Sequence, residues 1–261
     1  MLNTHALDVE IGGKQVCRGL DLTLARGECM AVLGGNGVGK TTLLHTLAGL
    51  REPHGGDVRL DDQPLARLSR REVARRLALL MQHDDDAFPA TVRETVLVGR
   101  HPHIAFWRWE SRGDVAIAEA ALTDCALGGF EDRAVDTLSG GERRRLAIAT
   151  VLAQQPSLYL LDEPTNELDL HFQIDLLRHF RKLADDEGKA VLLAMHDVNL
   201  AARFADRALL LFGHGETLCG PAAETLTEEN LSRLYHVRVE TGQIGSRRFF
   251  MPAVGASFLC D

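Results

Sequence analysis

The residues best suited to chemistry in this sequence form a glycine-rich run that ends in a lysine and a threonine: Gly34-Gly35-Asn36-Gly37-Val38-Gly39-Lys40-Thr41. The run matches Gly-x-x-x-x-Gly-Lys-Thr, a loop whose backbone N–H groups surround phosphate oxygens. Lys40 would place a positive charge on the β- and γ-phosphates, and the Thr41 hydroxyl would be a ligand for Mg²⁺. A dinucleotide-binding turn is a weaker alternative, because these glycines lack the Gly-x-Gly-x-x-Gly spacing.

The segments on either side of this loop predict the elements that position it. Residues 29–33 are an apolar run typical of a buried strand. The following segment, 42–50, predicts a helix with one apolar face, made by Leu43, Leu44, Leu47 and Leu50. A strand, a glycine-rich turn and a helix in that order place a helix N-terminus at the bound anion.

An acidic pair, Asp162-Glu163, directly follows the apolar run 158–161. This order places both carboxylates at the carboxyl end of a buried strand, where α/β sheets bind ligands. Asp162 could hold Mg²⁺ directly or through water, and Glu163 could take a proton from an attacking water. Acidic pairs at the start of loops are common, so the prediction depends on the phosphate-binding loop elsewhere in the chain.

A second helix start with small residues lies at Leu138-Ser139-Gly140-Gly141-Glu142. We expect Ser139 to cap this helix, whose apolar face carries Leu146, Ala149 and Leu152. The glycines leave N–H groups accessible to an anion. By itself the pattern is an ordinary helix start, but together with the first loop it predicts a second phosphate-facing helix end.

Composition narrows the class of protein. The 261 residues are 45% hydrophobic and carry a net charge of −8, which suits a large folded core and gives no indication of a polyanionic partner. We interpret the arginine clusters at 70–76 and 143–145 as solvated helix faces. The five cysteines lack any Cys-x-x-Cys pair, which favours reduced thiols in a cytoplasm.

The sequence shows neither a secretion signal at residues 1–5 nor an apolar run long enough to span a membrane. Residues 1–5 lack the basic-then-apolar layout of a secretion signal. Apolar runs such as 190–195 and 208–212 are far shorter than the ~20 residues needed to span a bilayer. We therefore expect a chain that reaches a membrane only through a partner.

The pattern along the chain predicts an α/β fold with a helical insertion. Residues 7–11 and 20–24 alternate like half-buried strands, whereas 84–155 are mostly helical in pattern. After Pro156 the α/β character returns, with a helix over 173–184, a strand over 191–194 and a small β-like tail after Tyr235. We expect one domain, 1–261, in which 1–83 and 156–261 form a core α/β lobe and 84–155 a helical lobe.

Six motifs in a fixed order carry a family resemblance. They are the loop 34–41, Gln82 after a strand, the run 138–142, the strand 158–162 followed by Glu163, Asp169 in Asn166-Glu167-Leu168-Asp169, and His196 in Met195-His196-Asp197. With them, the chain resembles the ATP-binding subunits of ABC transporters over nearly its whole length. The resemblance implies a P-loop NTPase core with an N-terminal antiparallel β region and an inserted helical subdomain.

The resemblance also implies an ATPase site shared by two copies of the chain, arranged head to tail. ATP would be bound by Gly34, Gly35, Asn36, Gly37, Val38, Gly39, Lys40, Thr41, Thr42 and Ile11. Mg²⁺, the implied cofactor, would be held by Thr41, Gln82 and Asp162. Glu163 would deprotonate the attacking water, and His196 would contact the γ-phosphate. The partner chain's ATP would meet the signature residues Ser139, Gly140, Gly141 and Glu142, and Asp169 would connect the two sites.

Three positions depart from the family pattern. Ile11 occupies a position where the family commonly stacks an aromatic ring on adenine, so nucleotide affinity or base selectivity is expected to be weaker. Arg144-Arg145 replaces the usual Gln-Arg pair, and Thr150 stands where an arginine is frequent. None of these departures removes a group that performs chemistry.

Local stretches further resemble importers of iron chelates, haem or cobalamin, namely 98–103, 169–173, 197–203 and 226–235. That resemblance implies membrane permease subunits as partners, a substrate-binding protein as an indirect partner, no nucleic acid, and a peripheral location on the cytoplasmic face of the inner membrane. Two alternatives remain open: an exporter's ATPase subunit, and a soluble ABC protein acting on ribosomes or DNA. A P-loop kinase is more distant, because it would not need the run 138–142.

Two histidines and a group of aromatic residues lie outside the predicted ATP site. His101 and His103 are separated by a single proline, which gives no helical metal-ligand face, so we do not expect a metal there. The segment 82–110 carries four aromatic residues, Phe88, Phe106, Trp107 and Trp109. They are equally compatible with a surface that docks a membrane subunit and with packing inside the helical lobe.

Overall fold

The computed structural model describes residues 1–82, 89–105, 107–245 and 247–253. The strands of this part are β1 (Leu2–Ile11), β2 (Lys14–Leu20), β3 (Thr23–Leu24), β4 (Cys29–Gly34), β5 (Gly55–Leu60), β6 (Gln63–Pro64), β7 (Leu77–Leu80), β8 (Leu158–Asp162), β9 (Ala190–Ala194), β10 (Arg207–Gly213), β11 (Glu216–Pro221), β12 (Val239–Ile244) and β13 (Arg247–Pro252). The helices are α1 (Lys40–Leu47), α2 (Arg70–Arg76), α3 (Val92–Val98), α4 (Arg112–Asp124), α5 (Gly140–Ala153), α6 (Leu170–Glu187), α7 (Val198–Phe204), α8 (Ala222–Thr225) and α9 (Glu228–Tyr235).

The main sheet has the strand order β11-β10-β4-β9-β8-β7. Strands β10, β4, β9, β8 and β7 are parallel, and β11 is antiparallel at one edge. All residues of β4, β8 and β9 are buried, as expected for parallel strands that are covered on both faces. The carboxyl ends of β4, β9, β8 and β7 therefore lie side by side at one edge of the sheet.

Alternation along β4 distributes its side chains to two hydrophobic clusters. Met30 and Val32 pack with α1 and the N-terminal strands, while Ala31 and Leu33 pack with the cluster that includes α5 and α6. The predicted apolar face of α5 lies in this second cluster. The sheet is thus the central layer of an α/β fold, which confirms the predicted fold class.

The second sheet is antiparallel, with the order β2-β1-β5-β6 and β3 paired to β1. It confirms the predicted N-terminal antiparallel region, but the prediction of one strand over 20–24 is wrong. The buried Thr4 hydroxyl donates to the Leu20 carbonyl (2.6 Å) and accepts from the Leu22 N–H (2.9 Å). These bonds take the backbone out of strand pairing between β2 and β3.

The helix after the glycine-rich loop is shorter than predicted. It ends at Leu47, and Leu50 is 53% exposed instead of lying on the apolar face. Gly49 adopts a left-handed conformation (φ 71°), and the Leu50 N–H then bonds to the His45 carbonyl (2.9 Å). This is a Schellman termination, in which glycine ends the helix and turns the next side chain away.

The middle of the chain is helical, as predicted. α3, α4 and α5 pack on one another, and each begins with a capping box, at Thr91, Ser111 and Ser139 respectively. The predicted boundary between the lobes at residues 83 and 84 lies outside the described residues. α6 is longer than predicted, and the β12–β13 hairpin accounts for the predicted β-like tail. Within the described part of the chain, no helix combines the length and apolarity needed to cross a membrane.

Candidate nucleotide-binding site

The sheet topology brings together four predicted groups that are far apart in sequence. The glycine-rich loop follows β4, His196 follows β9, Asp162 and Glu163 stand at the end of β8, and Gln82 follows β7. These four strands are consecutive neighbours in the sheet. The predicted chemical groups consequently share one sheet edge, at the carboxyl ends of parallel strands, where such sheets bind ligands.

Glycine is required at the end of the loop for two reasons. Gly39 has φ 110°, a backbone conformation that side chains rarely adopt, and an added Cβ would lie 2.4 Å from Cγ2 of Val16. Gly39 is also the N-cap of α1 and provides no side-chain cap. The N–H groups of the first turn, from Lys40 to Thr42, therefore lack helical acceptors and are available to an anion.

The Lys40 side chain is buried and folded back onto its own loop. Its Nζ donates to the carbonyl oxygens of Gly34 (3.0 Å) and Gly35 (3.5 Å). Burial lowers the pKa of Lys40, and the carboxylates of Glu163 and Asp162 counteract this by favouring the charged form. The ammonium group thus lies between the loop and the acidic pair, where a phosphate chain would find a positive charge.

Asp162 is fully buried, and neither carboxylate oxygen has a hydrogen-bond partner among the described residues. Burial raises the pKa of Asp162, and the neighbouring Thr41 hydroxyl is the main group that counteracts this shift. Unsatisfied buried carboxylate oxygens are costly unless a ligand binds them. Carboxylate and hydroxyl oxygens are ligands that Mg²⁺ accepts. Asp162 and Thr41 therefore fit a magnesium site.

Glu163 is the most heavily supported carboxylate of the site. Its Oε2 accepts from Gln82 Nε2 (3.0 Å) and from Asn166 Nδ2 (2.5 Å), and its Oε1 contacts His196 Nε2. The backbone at Glu163 is left-handed (φ 48°), which is unusual for a residue other than glycine. Three side chains and a special backbone conformation thus fix one carboxylate at the end of β8.

Asn166 is a site residue that the sequence analysis did not single out. It was visible only as part of the stretch before Asp169, although an amide three residues after a carboxylate is well placed to bond back to it. The turn is closed by the Asn166 N–H, which donates to the Glu163 carbonyl (3.2 Å). Asp169 itself caps α6 by accepting from the Phe172 N–H (2.9 Å).

Ser139 caps α5, as predicted. Its hydroxyl and N–H donate to the Glu142 carboxylate (2.8 and 2.7 Å), and the Glu142 N–H donates to the hydroxyl (3.3 Å). A Cβ at Gly140 would come within 3.1 Å of the Glu167 carboxylate, and one at Gly141 within 3.1 Å of the Glu167 carbonyl. Small residues at the start of α5 thus allow it to lie against the 166–169 segment.

The remaining predicted positions are not among the groups that follow β4, β9, β8 and β7. Ile11 ends β1 and is partly exposed, so its side chain is available to contact a base. His103 Nε2 bonds to the Gln154 carbonyl (2.8 Å), and the described residues contain no cluster of three or more His, Cys, Asp or Glu side chains arranged to hold a metal ion. Trp107 and Trp109 are each 90% exposed, which rules out core packing for these two. Phe88 and Phe106 lie outside the described residues.

This arrangement belongs to a known class of nucleotide-hydrolysing proteins. A family model described as ABC transporter matches residues 17–166, and the chain belongs to that family. The chain is accordingly an ATPase.

Several named relatives are similar over most of their length. The hemin import ATP-binding protein HmuV of Bradyrhizobium diazoefficiens is 37% identical, covering 97% of this chain and 94% of the relative. HmuV of Pseudomonas fluorescens is 43% identical over 92% and 94% of the two chains. The ferric enterobactin transport protein FepC of Escherichia coli is 37% identical over 91% and 88%.

A solved structure also matches along the whole fold. It belongs to an ABC transporter assigned to the metal-chelate type, in an inward-facing conformation. Its ATPase chain is 29% identical to this one, with a TM-score of 0.84 and coverage of 97% and 98%. The two-sheet architecture with its inserted helices is therefore that of an ABC cassette.

Proposed function

We propose that this chain is the ATP-hydrolysing subunit of an importer that carries an iron chelate (a siderophore or haem) or cobalamin through a separate membrane permease. The observation that carries the proposal is the set of nucleotide-handling groups at one sheet edge, in a chain whose relatives are named for hemin import and for ferric enterobactin transport. A relative from Halobacterium salinarum named for cobalamin import, 36% identical, keeps cobalamin among the cargos.

ATP binding in this proposal depends on the loop 34–41 and the start of α1. The N–H groups of the loop surround the β- and γ-phosphates, and Lys40 exchanges its bonds to Gly34 and Gly35 for phosphate oxygens. Ile11 packs on the adenine with an aliphatic surface. Mg²⁺ held by Thr41, Asp162 and Gln82 would neutralise charge on the two terminal phosphates.

Hydrolysis in this proposal depends on Glu163 as the general base. Hydrogen bonds from Asn166 and Gln82 orient its carboxylate, so that it can accept a proton from a water that attacks the γ-phosphate. His196 contacts Glu163 and would also contact the γ-phosphate through its imidazole. Positioning and charge neutralisation supply most of the catalysis in phosphoryl transfer.

A second copy of the chain completes the site in this proposal. Ser139, Gly140, Gly141 and Glu142 of one copy would close on the ATP bound by the other, and Asp169 would connect the two sites. A bacterial ABC cassette that is 27% identical to this chain, with a TM-score of 0.70, is itself dimeric. Loss of the γ-phosphate after hydrolysis removes this contact, and the dimer opens.

In this proposal the chain has a core lobe, residues 1–83 and 156–261, and a helical lobe, residues 84–155. The permease would bind the helical lobe. Trp107 and Trp109 provide large exposed aromatic surfaces of the kind that anchor protein interfaces. This docking would hold the chain at the cytoplasmic face of the inner membrane, next to a permease that receives cargo from a substrate-binding protein.

Affinity purification with a hydrolysis-deficient variant tests the proposal. Glu163→Gln removes the base and is expected to lower kcat by about 10²- to 10⁴-fold while ATP still binds and a dimer accumulates. The variant is purified from native membranes with MgATP, and the proteins that accompany it are identified. Glu187→Gln, at the far end of α6, is the matched control and should keep normal turnover.

Copurification of a many-helix permease of the iron-chelate or cobalamin type, together with loss of cargo uptake, is the expected result. Copurification of an exporter's membrane subunit, of ribosomes or of DNA would leave the assignment of the chain as an ATPase intact but would overturn the import assignment. Undiminished hydrolysis by Glu163→Gln would overturn the assignment of the base.

A further inference from the structure

Arg144 is a charged side chain inside the protein, only 6% exposed. It lies on α5, five residues after the Ser139 cap, at a position where the family usually has glutamine. The interpretation of the arginines at 143–145 as a solvated helix face is wrong for Arg144, because its side chain is buried against the ends of two strands. Buried arginines are rare unless their guanidinium groups are hydrogen-bonded. Its contacts therefore indicate what the residue does.

The Arg144 guanidinium bonds to backbone at the ends of two neighbouring strands. One terminal nitrogen donates to the Met81 carbonyl (2.6 Å) and more weakly to that of Gln82 (3.4 Å). The other donates to the carbonyls of Asp162 and Glu163 (2.7 Å each). Since β7 and β8 are parallel neighbours, one planar fork reaches both strand ends at once.

Three of the four carbonyls that Arg144 binds belong to residues of the ATP site, and the fourth, that of Met81, directly precedes one of them. Gln82, Asp162 and Glu163 are the residues to which we assign metal binding and proton transfer. Glu163 also has a left-handed backbone, and its N–H is held by the Ala194 carbonyl (3.0 Å). Arg144 binds the carbonyl of the same residue, so the peptide groups on both sides of the base are fixed.

We propose that Arg144 is a positioning residue that fixes the catalytic edge of its own site to the signature helix α5. This inference rests on the proposed function, in which the N-terminus of α5 meets the ATP bound by the partner chain. In that arrangement the start of α5 contacts the partner's nucleotide, and Arg144 binds the backbone of Gln82 and Glu163 in its own chain. A movement of α5 at one ATP site therefore changes the position of the catalytic residues at the other. Hydrolysis in each site then depends on closure of the other.

The forked guanidinium group is essential to this role, because a lysine or glutamine side chain could bind only some of the carbonyls that Arg144 binds. Lysine has a single ammonium group, and glutamine has one amide group with two N–H donors. Neither can span both strand ends with the bonds that Arg144 makes. We therefore expect that neither Arg144→Lys nor Arg144→Gln restores the native geometry.

The test compares kcat and KM for MgATP in wild-type protein, Arg144→Gln, Arg144→Lys and Arg145→Gln. Arg145 is the matched control, since it lies on the same helix and also binds backbone, but at Ala126 (3.0 Å), away from the site. A misplaced base is expected to lower kcat by about 10- to 100-fold in both Arg144 variants. KM and nucleotide affinity should change less than about 3-fold, and Arg145→Gln should retain normal kcat. Rates are normalised to folded protein, measured by circular dichroism and nucleotide binding.

Coupling between the sites is measured with a double-mutant cycle. Ser139→Ala weakens the contact of α5 with the partner's ATP, and we expect its effect on kcat to be smaller when Arg144→Gln is already present. If the fold-change in kcat of the double variant equals the product of the two single fold-changes, the sites are not coupled through Arg144 and this part of the proposal is overturned.

The remaining outcomes are also decisive. Wild-type kcat in both Arg144 variants would overturn the proposal, and so would a failure of both to fold, because Arg144 would then be a structural residue. Full rescue by Arg144→Lys would overturn the requirement for the fork. Absence of ATP hydrolysis by the wild-type chain would instead refute the proposed function, independently of Arg144.

Discussion

Replacement of Arg100 by alanine should destabilise the helical region far more than replacement of a comparable surface arginine. Arg100 follows α3, and its Nε donates to Asp114 on α4 (3.0 Å). Its NH1 group donates to the Ala153 carbonyl (2.8 Å) and to Gln155 (3.2 Å). The side chains of Arg100 and Asp114 are only 8% and 14% exposed, so water cannot readily replace these bonds.

The expected loss follows from these contacts. A hydrogen bond to a charged partner contributes about 1.5–3 kcal/mol, and an unsatisfied buried acceptor costs about 1–3 kcal/mol. Asp114 keeps its bonds from Ser111 (3.0 and 2.6 Å), which reduces the penalty for the carboxylate. We therefore expect Arg100→Ala to lower the free energy of unfolding by about 3 kcal/mol.

The matched control is Arg93→Ala. Arg93 also joins α3 to α4, through Glu119 (2.9 Å), but these side chains are 37% and 49% exposed. Exposed pairs contribute about 0.2–1 kcal/mol. Urea unfolding followed by circular dichroism measures both variants; with an m value of about 3 kcal/mol/M, Arg100→Ala should shift the midpoint by about 1 M. Equal losses in the two variants would refute the reasoning from burial.

Three further predictions concern the ATP site, acid stability and docking. Lys40→Ala should weaken MgATP binding at least 10-fold in a nucleotide titration, and unchanged affinity would contradict the role of the ammonium group. The Ser111 hydroxyl and backbone N–H, with Arg100, bind ionised Asp114 and hold its pKa at about 2, below the ordinary 3.8. This contribution is present above about pH 4 and is lost as the pH falls towards 2, so Asp114→Asn should flatten the dependence of unfolding free energy on pH in that window. Replacing Trp107 and Trp109 with alanine should reduce permease copurification without changing nucleotide affinity; retention of the permease would contradict the docking surface.

The local sequence pattern was sufficient to predict the phosphate-binding loop and the acidic pair, each of which directly follows a strand. The loop 34–41 and the acids at 162 and 163 each carry their context with them, an apolar strand before and a helix or turn after. The parallel sheet then fixes which of these ends meet. The predicted sheet edge could therefore be inferred from the order of the motifs, and the fold class with it.

Contacts between distant residues could not be predicted in the same way. Arg144 is 63 residues from Met81 in sequence, and nothing in its local pattern distinguishes it from the arginines on either side. Periodicity also extended α1 to Leu50, because apolar spacing alone does not register the left-handed turn at Gly49. The strand predicted over 20–24 failed for a related reason, since the Thr4 hydroxyl that interrupts it comes from another strand.

The position of β9 inside the sheet has a consequence for synthesis of the chain. β9 (Ala190–Ala194) lies between β4 and β8, although it is made after both. A growing chain that ends before residue 190 has the glycine-rich loop and the acidic pair, but no strand to hold them at their native separation. Such non-local pairing is slow, and transiently unpaired strands are prone to aggregate. The glycine-rich loop and the acidic pair can thus reach their native separation only after about three quarters of the sequence has been made, and the unpaired edges of β4 and β8 are what a chaperone would need to cover until then.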